Sequence, residues 1–280
     1  GTRASGVYQD GSVFGGATVR LEPKEQAAVH YLKAVVARDR GDIVRATGEM
    51  RRAAELDPHD PRPHAHLVQL HIRMGNLEDA LSETGELVRL EPDDVEHRVL
   101  LASLYVSLEQ HDKAIKEYVR VLARSPNRED ALVQLGSLYN RKGDYTQAVA
   151  TLEQAARVQP DSLIANFYLG RSYALAGMHE QSLDAYRRAL RLDQSSDQIH
   201  LEMGFVYEQQ ERSDRAIESY RKALELNPHS LAARRRLGVI YVAEGKLDHA
   251  IAQYESLVGL EEDPLDTQTK IGLISLQKGD

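Results

Sequence analysis

One spacing governs this chain. From Ala27 onward the sequence repeats every 34 residues without a slip in phase, in repeats that begin at Ala27, Pro61, Val95, Glu129, Leu163, Asp197, Leu231 and Leu265. A period of that length marks a stack of small supersecondary pieces rather than one large core, because no single piece can bury its apolar face alone.

Residue size follows the same clock. Position 11 of the repeat is Tyr105, Tyr139, Tyr173, Tyr207 and Tyr241, and position 24 is Tyr118, Leu152, Tyr186, Tyr220 and Tyr254. Position 20 is Ala46, Ala80, Ala114, Ala148, Ser182, Ala216 and Ala250, while position 8 is Ala34, Val68, Ala102, Gly136, Gly170, Gly204, Gly238 and Gly272. Small side chains at fixed offsets let two helix backbones approach closely, and large ones fill the space between neighbouring repeats. Glycines at positions 15 and 16 (Gly41-Asp42, Gly75-Asn76, Gly143-Asp144, Gly245-Lys246) suit a left-handed helix end followed by a cap. Pro58, Pro92, Pro126, Pro160 and Pro228 at position 32 stop the second helix. Each repeat is therefore expected to be a pair of helices.

This pattern resembles the tetratricopeptide repeat, a 34-residue helix-turn-helix family, over Ala27–Asp280. The departures are Gln194 and Glu262 in place of proline, Glu109 and Glu211 in place of the turn glycine, and a missing Trp at position 4. The resemblance implies an all-α, right-handed superhelical solenoid of antiparallel helix pairs, with seven full repeats plus one half repeat. Residues 1–26 are then a Gly/Ser-rich leader, 27–264 the seven repeats, and 265–280 the first helix of an eighth repeat or a capping helix. His30, Lys33 and Ala37 fall where a core wants large apolar groups, so repeat one is expected to be a solvated cap.

By the same resemblance, the first helix of each pair lines the concave face through positions 2, 5, 9, 12 and 13. Those positions place Ile164, Phe167, Leu175, Leu201, Phe205, Val239 and Val242 in an apolar stripe. Arg73, Asn140, Arg141, Arg171 and Arg235 flank it, with Glu208 and Asp130 as acidic exceptions. An apolar floor with arginine flanks suits an amphipathic helix or an extended segment with acidic neighbours. The competing reading is that the phenylalanines only pack between adjacent first helices. The carboxylate clamp of chaperone-binding relatives and the asparagine ladder of glycosyltransferase-linked ones are both missing at positions 5 and 6.

Other chemistry is excluded or disfavoured. With no cysteine among 280 residues there is no disulfide, thiolate nucleophile or Cys-based zinc site. A net charge of −8 argues against a general nucleic-acid binder. No stretch approaches the roughly 18 apolar residues of a membrane-spanning helix. His59, His64, His66 and His71 form the densest histidine run, yet His64 and His71 stand at packed positions 4 and 11, so no metal is assigned. Asp93-Asp94 and Glu261-Glu262 lie at repeat junctions without a pocket, and no nucleophile elbow, phosphate loop or dinucleotide fingerprint occurs. Neither a cofactor nor catalysis is expected.

The leading expectation is a non-catalytic scaffold that binds a protein or peptide. The chain begins at Gly1 rather than Met, which reads either as a cloning scar or as a mature bacterial envelope protein that has lost its signal segment. The periplasm or outer membrane is accordingly favoured over the cytoplasm, with a role in assembling an envelope complex. A second reading is self-association into a homo-oligomer, through Val7, Tyr8, Val13 and Phe14 of the leader and through Ile271 and Ile274 in the open last repeat. A third makes the chain the regulatory part of a larger enzyme.

Overall fold

The computed structural model describes residues 21–261 and 264–279, together with the backbone of 13–14 and 17–18. It forms two compact units, Gly1–Pro126 and Asn127–Asp280. In the N-terminal unit two short strands, β1 (Val13–Phe14) and β2 (Ala17–Thr18), pair antiparallel with Val13 opposite Thr18. Six helices follow: α1 (Pro23–Asp39), α2 (Ile43–Leu56), α3 (Pro61–Met74), α4 (Leu77–Leu90), α5 (Val95–Ser107) and α6 (His111–Arg124). The C-terminal unit holds α7 (Glu129–Lys142), α8 (Tyr145–Val158), α9 (Leu163–Leu175), α10 (His179–Leu192) and α11 (Asp197–Gln209). It is completed by α12 (Ser213–Leu226), α13 (Leu231–Ala243), α14 (Leu247–Val258) and α15 (Leu265–Lys278). Within each unit every second helix packs on its own partner and on the first helix of the next repeat. Among the described residues no helix is long and apolar enough to cross a membrane.

The helix starts are set by side chains that take up orphan backbone N–H groups. Asp42, Asp60 and Asp94 accept from Arg45 N, Arg62 N and His97 N at 3.0 Å each. Ser162, Ser196 and Ser230 do the same for α9, α11 and α13. Helix α1 begins at Pro23, inside the span assigned to the leader. Proline suits the first helical position, and Glu22 N donates to Glu25 Oε2 at 2.9 Å to close that end.

Between paired helices, Gly41, Gly75, Gly143, Gly177 and Gly245 take φ of 70 to 81°. Glu109 and Glu211 adopt the same left-handed turn at 57° and 58°, where a side chain is strained. Stacking on both sides fixes the turn geometry, so these two residues comply at a cost.

The position-8 and position-24 residues meet as a packed pair. A Cβ on Gly136 would lie 2.4 Å from Leu152, and one on Gly204 would lie 2.4 Å from the Tyr220 ring. Gly170 and Gly238 meet Tyr186 and Tyr254 at 2.7 Å. Glycine leaves room for these side chains, of which Leu152, Tyr186 and Tyr220 are fully buried.

The two ends differ from expectation. In α1, His30 is half-buried against Glu49 at 2.6 Å and Ala37 is buried, while Val29, Leu32 and Val36 form an exposed apolar stripe. At the other end Ile274 is buried, and Ile271 packs against the same cluster. They occupy positions 10 and 7, which face the preceding repeat just as Ile240 and Leu237 do. Leu273 and Leu276 are the exposed pair instead, at 62% and 73%.

Candidate functional site

A groove of about 540 Å³ runs across α9, α11 and α13, where three successive first helices lie side by side in the C-terminal unit. Its apolar wall is Ala174, Leu175, Phe205 and Val206, and its charged rim is Arg171, Glu202, Glu208 and Arg236. The periodicity of each first helix generates this face, since residues at positions 9, 12 and 13 fall on one stripe.

The expected site residues separate into three groups. Ile164, Leu175 and Val239 present exposed apolar surface, Arg141 and Arg171 are exposed cations, and Arg171 lines the groove with Leu175. Phe167, Phe205 and Val242 are half-buried and pack against the core cluster. Phe167 stands 6.0 Å from the Tyr186 ring and Phe205 5.8 Å from the Tyr220 ring, and of the two only Phe205 lines the groove. Leu201 does not belong to the surface: it is 8% exposed, because position 5 on α11 turns it into the core cluster. Arg73 lies exposed at the end of α3 in the N-terminal unit. Val7 and Tyr8 lie outside the described residues, and Val13 and Phe14 form β1.

Most of the polar groups are already engaged. Asn140 Nδ2 donates to Ser172 Oγ at 2.6 Å, while its Oδ1 is buried without a partner. Arg235 pairs with Glu261 at 2.5 Å. The bonds from Thr267 and Arg235 hold the Glu261 carboxyl below its usual range. Arg236 stands 4.9 Å over the Phe205 ring and 3.5 Å from Glu208, which also accepts from the Tyr220 hydroxyl. Burial and then that bond push the Tyr220 phenol far above its ordinary value. Burial also raises Tyr173, which donates to Glu153 Oε1 at 2.6 Å, to about 12.

The histidine run does not converge. His64 Nδ1 lies 2.6 Å from Glu83, and fully buried His71 lies 3.6 Å from Asp79. Burial and the Arg38 charge lower His66, whose Nε2 meets the Tyr31 hydroxyl at 2.9 Å. Of the paired carboxylates, Asp93 bridges to Arg124 at 2.5 Å and Asp94 caps α5. Glu91, Asp94 and His97 set three ligand atoms within 4.8 Å of one another at the α4–α5 turn, where His97 Nδ1 is 3.2 Å from Glu91.

Family models described as tetratricopeptide repeat match residues 37–104, 98–128, 133–197 and 201–267. This chain belongs to the tetratricopeptide-repeat family. No curated protein sequence matches it. Among solved structures it is similar to a tetratricopeptide repeat protein from Parabacteroides merdae. The match has 18% identity and a TM-score of 0.63, over 90% of this chain and 99% of that one. It is also similar to MamA from Desulfovibrio magneticus, at 24% identity and TM-score 0.58, over 61% and 96% of the two chains. YrrB, described as a protein of this class with an unusual peptide-binding site, matches at 21% identity and TM-score 0.57 over 66% and 95%. At these identities the likeness concerns the fold.

The tetratricopeptide register also marks exposed first-helix residues beyond the expected set. Leu273 and Leu276 occupy positions 9 and 12, the same places as Val239 and Val242 one repeat earlier. Applying the spacing to the eighth repeat identifies them. Glu202 and Arg236, both at position 6, were legible only as missing asparagines, since a side chain's reach over its neighbour is not written in the spacing.

Proposed function

We propose that this chain is a non-catalytic scaffold that holds a segment of another polypeptide in the groove across α9, α11 and α13. The observation that carries the reading is exposed apolar surface beside an arginine whose charge is not matched by a carboxylate. Leu175 on α9, which lines the groove, and Val239 on α13, two first helices further on, are 44% and 51% exposed, and Arg171 has no ion pair among the described residues. YrrB, with its named peptide-binding site, shares the fold, which supports the reading.

The test is a Leu175→Asp, Val239→Asp double variant. Both side chains face solvent, so the fold survives and the thermal midpoint stays close to wild type. Partner capture is expected to fall at least tenfold, because two buried carboxylates without partners cost several kcal/mol in a closed interface. Unchanged capture removes the groove as the site.

A second reading, self-association through α15, is favoured by the exposure of Leu265, Leu273 and Leu276. Light scattering over a concentration series decides it, and a monomer throughout ends it. An envelope role is the cellular form of the first reading, and a precursor with a lipoprotein cleavage box ahead of Gly1 would support it.

A further inference from the structure

Helix α15 presents the receiving half of a helix pair. In repeats four to seven the glycine at position 8 is covered by the position-24 side chain of its own second helix, which stands 2.4 to 2.7 Å from where a Cβ would lie. Gly272 holds the same position on α15, yet a Cβ there would meet nothing within 4 Å. Leu273 and Leu276 flank this open seat at 62% and 73% exposure, and Leu265 is 68% exposed.

A second helix is recognised by the side chains it turns toward its partner. In α8 these are Ala148, Val149, Leu152, Ala155 and Ala156, and in α12 they are Ala216, Ile217, Tyr220, Ala223 and Leu224, all buried or half-buried. The spacing is a small residue followed by apolar ones one, four, seven and eight places on, which is one stripe of a helix. Helix α1 carries the same stripe in Ala28, Val29, Leu32, Val35 and Val36. As a first helix it packs on its neighbours through Ala27, Ala34 and Ala37, so most of this second stripe is spare. Ala28 is exposed, and Val29, Leu32 and Val36 are 38%, 63% and 49% exposed along a groove of about 460 Å³ that Lys33 and Arg40 also line.

We infer that the occupant of α15 is α1 of a second copy, docked antiparallel with Leu32 seated over Gly272 as Leu152 is seated over Gly136. This rests on the self-association reading above and names the face that answers α15. The contact continues between two copies the interface that joins the two helices of each repeat within one. The ends match in charge. With Leu32 at Gly272, Glu25 in the first turn of α1 comes to the Lys278 end of α15, and Arg40 at the end of α1 comes to Asp266. Asp266 and Lys278 already pair with Lys270 and Asp248, so these rim charges orient the contact and its affinity comes from the apolar seat. The two surfaces differ, so each chain offers α1 to one neighbour and α15 to another.

The experiment blocks each side separately in the full chain and follows mass by light scattering over a concentration series. Leu32→Asp sets a carboxylate in the α1 stripe, and Gly272→Glu fills the seat on α15. Both positions face solvent, so the thermal midpoint is expected to hold in the first variant and to hold or rise in the second, where a better helix former replaces glycine. Each variant alone is expected to stay monomeric to concentrations about tenfold or more above those at which wild type associates. An equimolar mixture of the two forms a 1:1 dimer, because one chain still offers α1 and the other still offers α15.

If Gly272→Glu is monomeric but Leu32→Asp associates as wild type does, α15 meets some other face; the self-association reading stands and α1 is the wrong partner. A mixture that stays monomeric where wild type associates likewise overturns the pairing of α1 with α15. Association unchanged in both variants removes α15 from the contact. Wild type that is monomeric throughout ends the inference and the reading beneath it.

Discussion

The two units close their hairpins by different chemistry on the same spacing. In the N-terminal unit positions 4 and 23 are joined by polar pairs: His30 to Glu49 and His64 to Glu83 at 2.6 Å, and Arg98 to Glu117 at 2.9 Å. In the C-terminal unit those positions hold Leu132, Asn166, His200 and Arg234 opposite Thr151, Ala185, Ser219 and Gln253. Glycine at position 8 takes over there, opening each first helix to a Leu or Tyr from its partner. The N-terminal repeats carry Ala34, Val68 and Ala102 at that place, facing Met50, Thr84 and Tyr118. The lesson is functional as well as structural. In the sixth repeat the phenol that passes under Gly204 brings its hydroxyl to Glu208 on the groove rim, which an ion pair between helices does not.

Deleting a ring should break the C-terminal unit hardest. Tyr220→Ala is expected to cost about 3–5 kcal/mol, read as a lowered midpoint in chemical denaturation. The N-terminal counterpart is Arg98→Met, which leaves Glu117 buried with Arg120 as its remaining partner at 2.5 Å. A loss of about 2–3 kcal/mol is expected, and adding Glu117→Leu should restore much of it, because an apolar pair of similar volume replaces a buried ion pair well.

The glycine contrast is sharper still. Gly204→Ala forces the Tyr220 ring to move and should cost about 1–3 kcal/mol. Ala102→Gly in the N-terminal unit meets no such constraint and should cost only about 1 kcal/mol, through helix propensity. Equal losses would show that the two units do not differ in the way described. At the turns they should behave alike. Glu109→Gly and Glu211→Gly each relieve a left-handed side-chain residue and are expected to raise stability by about 1 kcal/mol, measured by calorimetry.

The smallest effect is one of pH. Burial lowers His66 in the N-terminal unit and His200 in the C-terminal unit, aided by Arg38 and Lys222 respectively. Below about pH 6.5 the unfolded chain takes up protons at these sites that the folded chain refuses. Stability is therefore lost as pH falls from 6.5, and is fully present above it. His66→Gln and His200→Gln should each flatten the acid side of a stability profile taken from pH 7 to 5.

The hairpins and turns were legible because the 34-residue phase never slips, whereas the pairing of Gly204 with Tyr220 inside one repeat was not, since the tyrosines were expected to fill the space between neighbouring repeats. Part of the face was legible through the family resemblance, whose positions 2, 13 and 9 give Ile164, Leu175 and Val239, all exposed. Burial within that face was not. Leu201 shares position 5 with exposed Arg235, and the core side of a helix pair is decided by which neighbour leans on it. Leu273 and Leu276 were within reach of the spacing, whereas the polar ties at positions 4 and 23 appear only once two helices are set against each other.

The most direct test of the account is partner capture from the native organism, read by mass spectrometry. Wild type is compared with Leu175→Asp, Val239→Asp in the C-terminal unit and with Ile72→Asp in the N-terminal unit, where Ile72 is 42% exposed. The C-terminal variant should lose the captured protein while Ile72→Asp retains it, with both chains folded. Retention by the C-terminal variant, or loss only in Ile72→Asp, would contradict the placement of the binding groove.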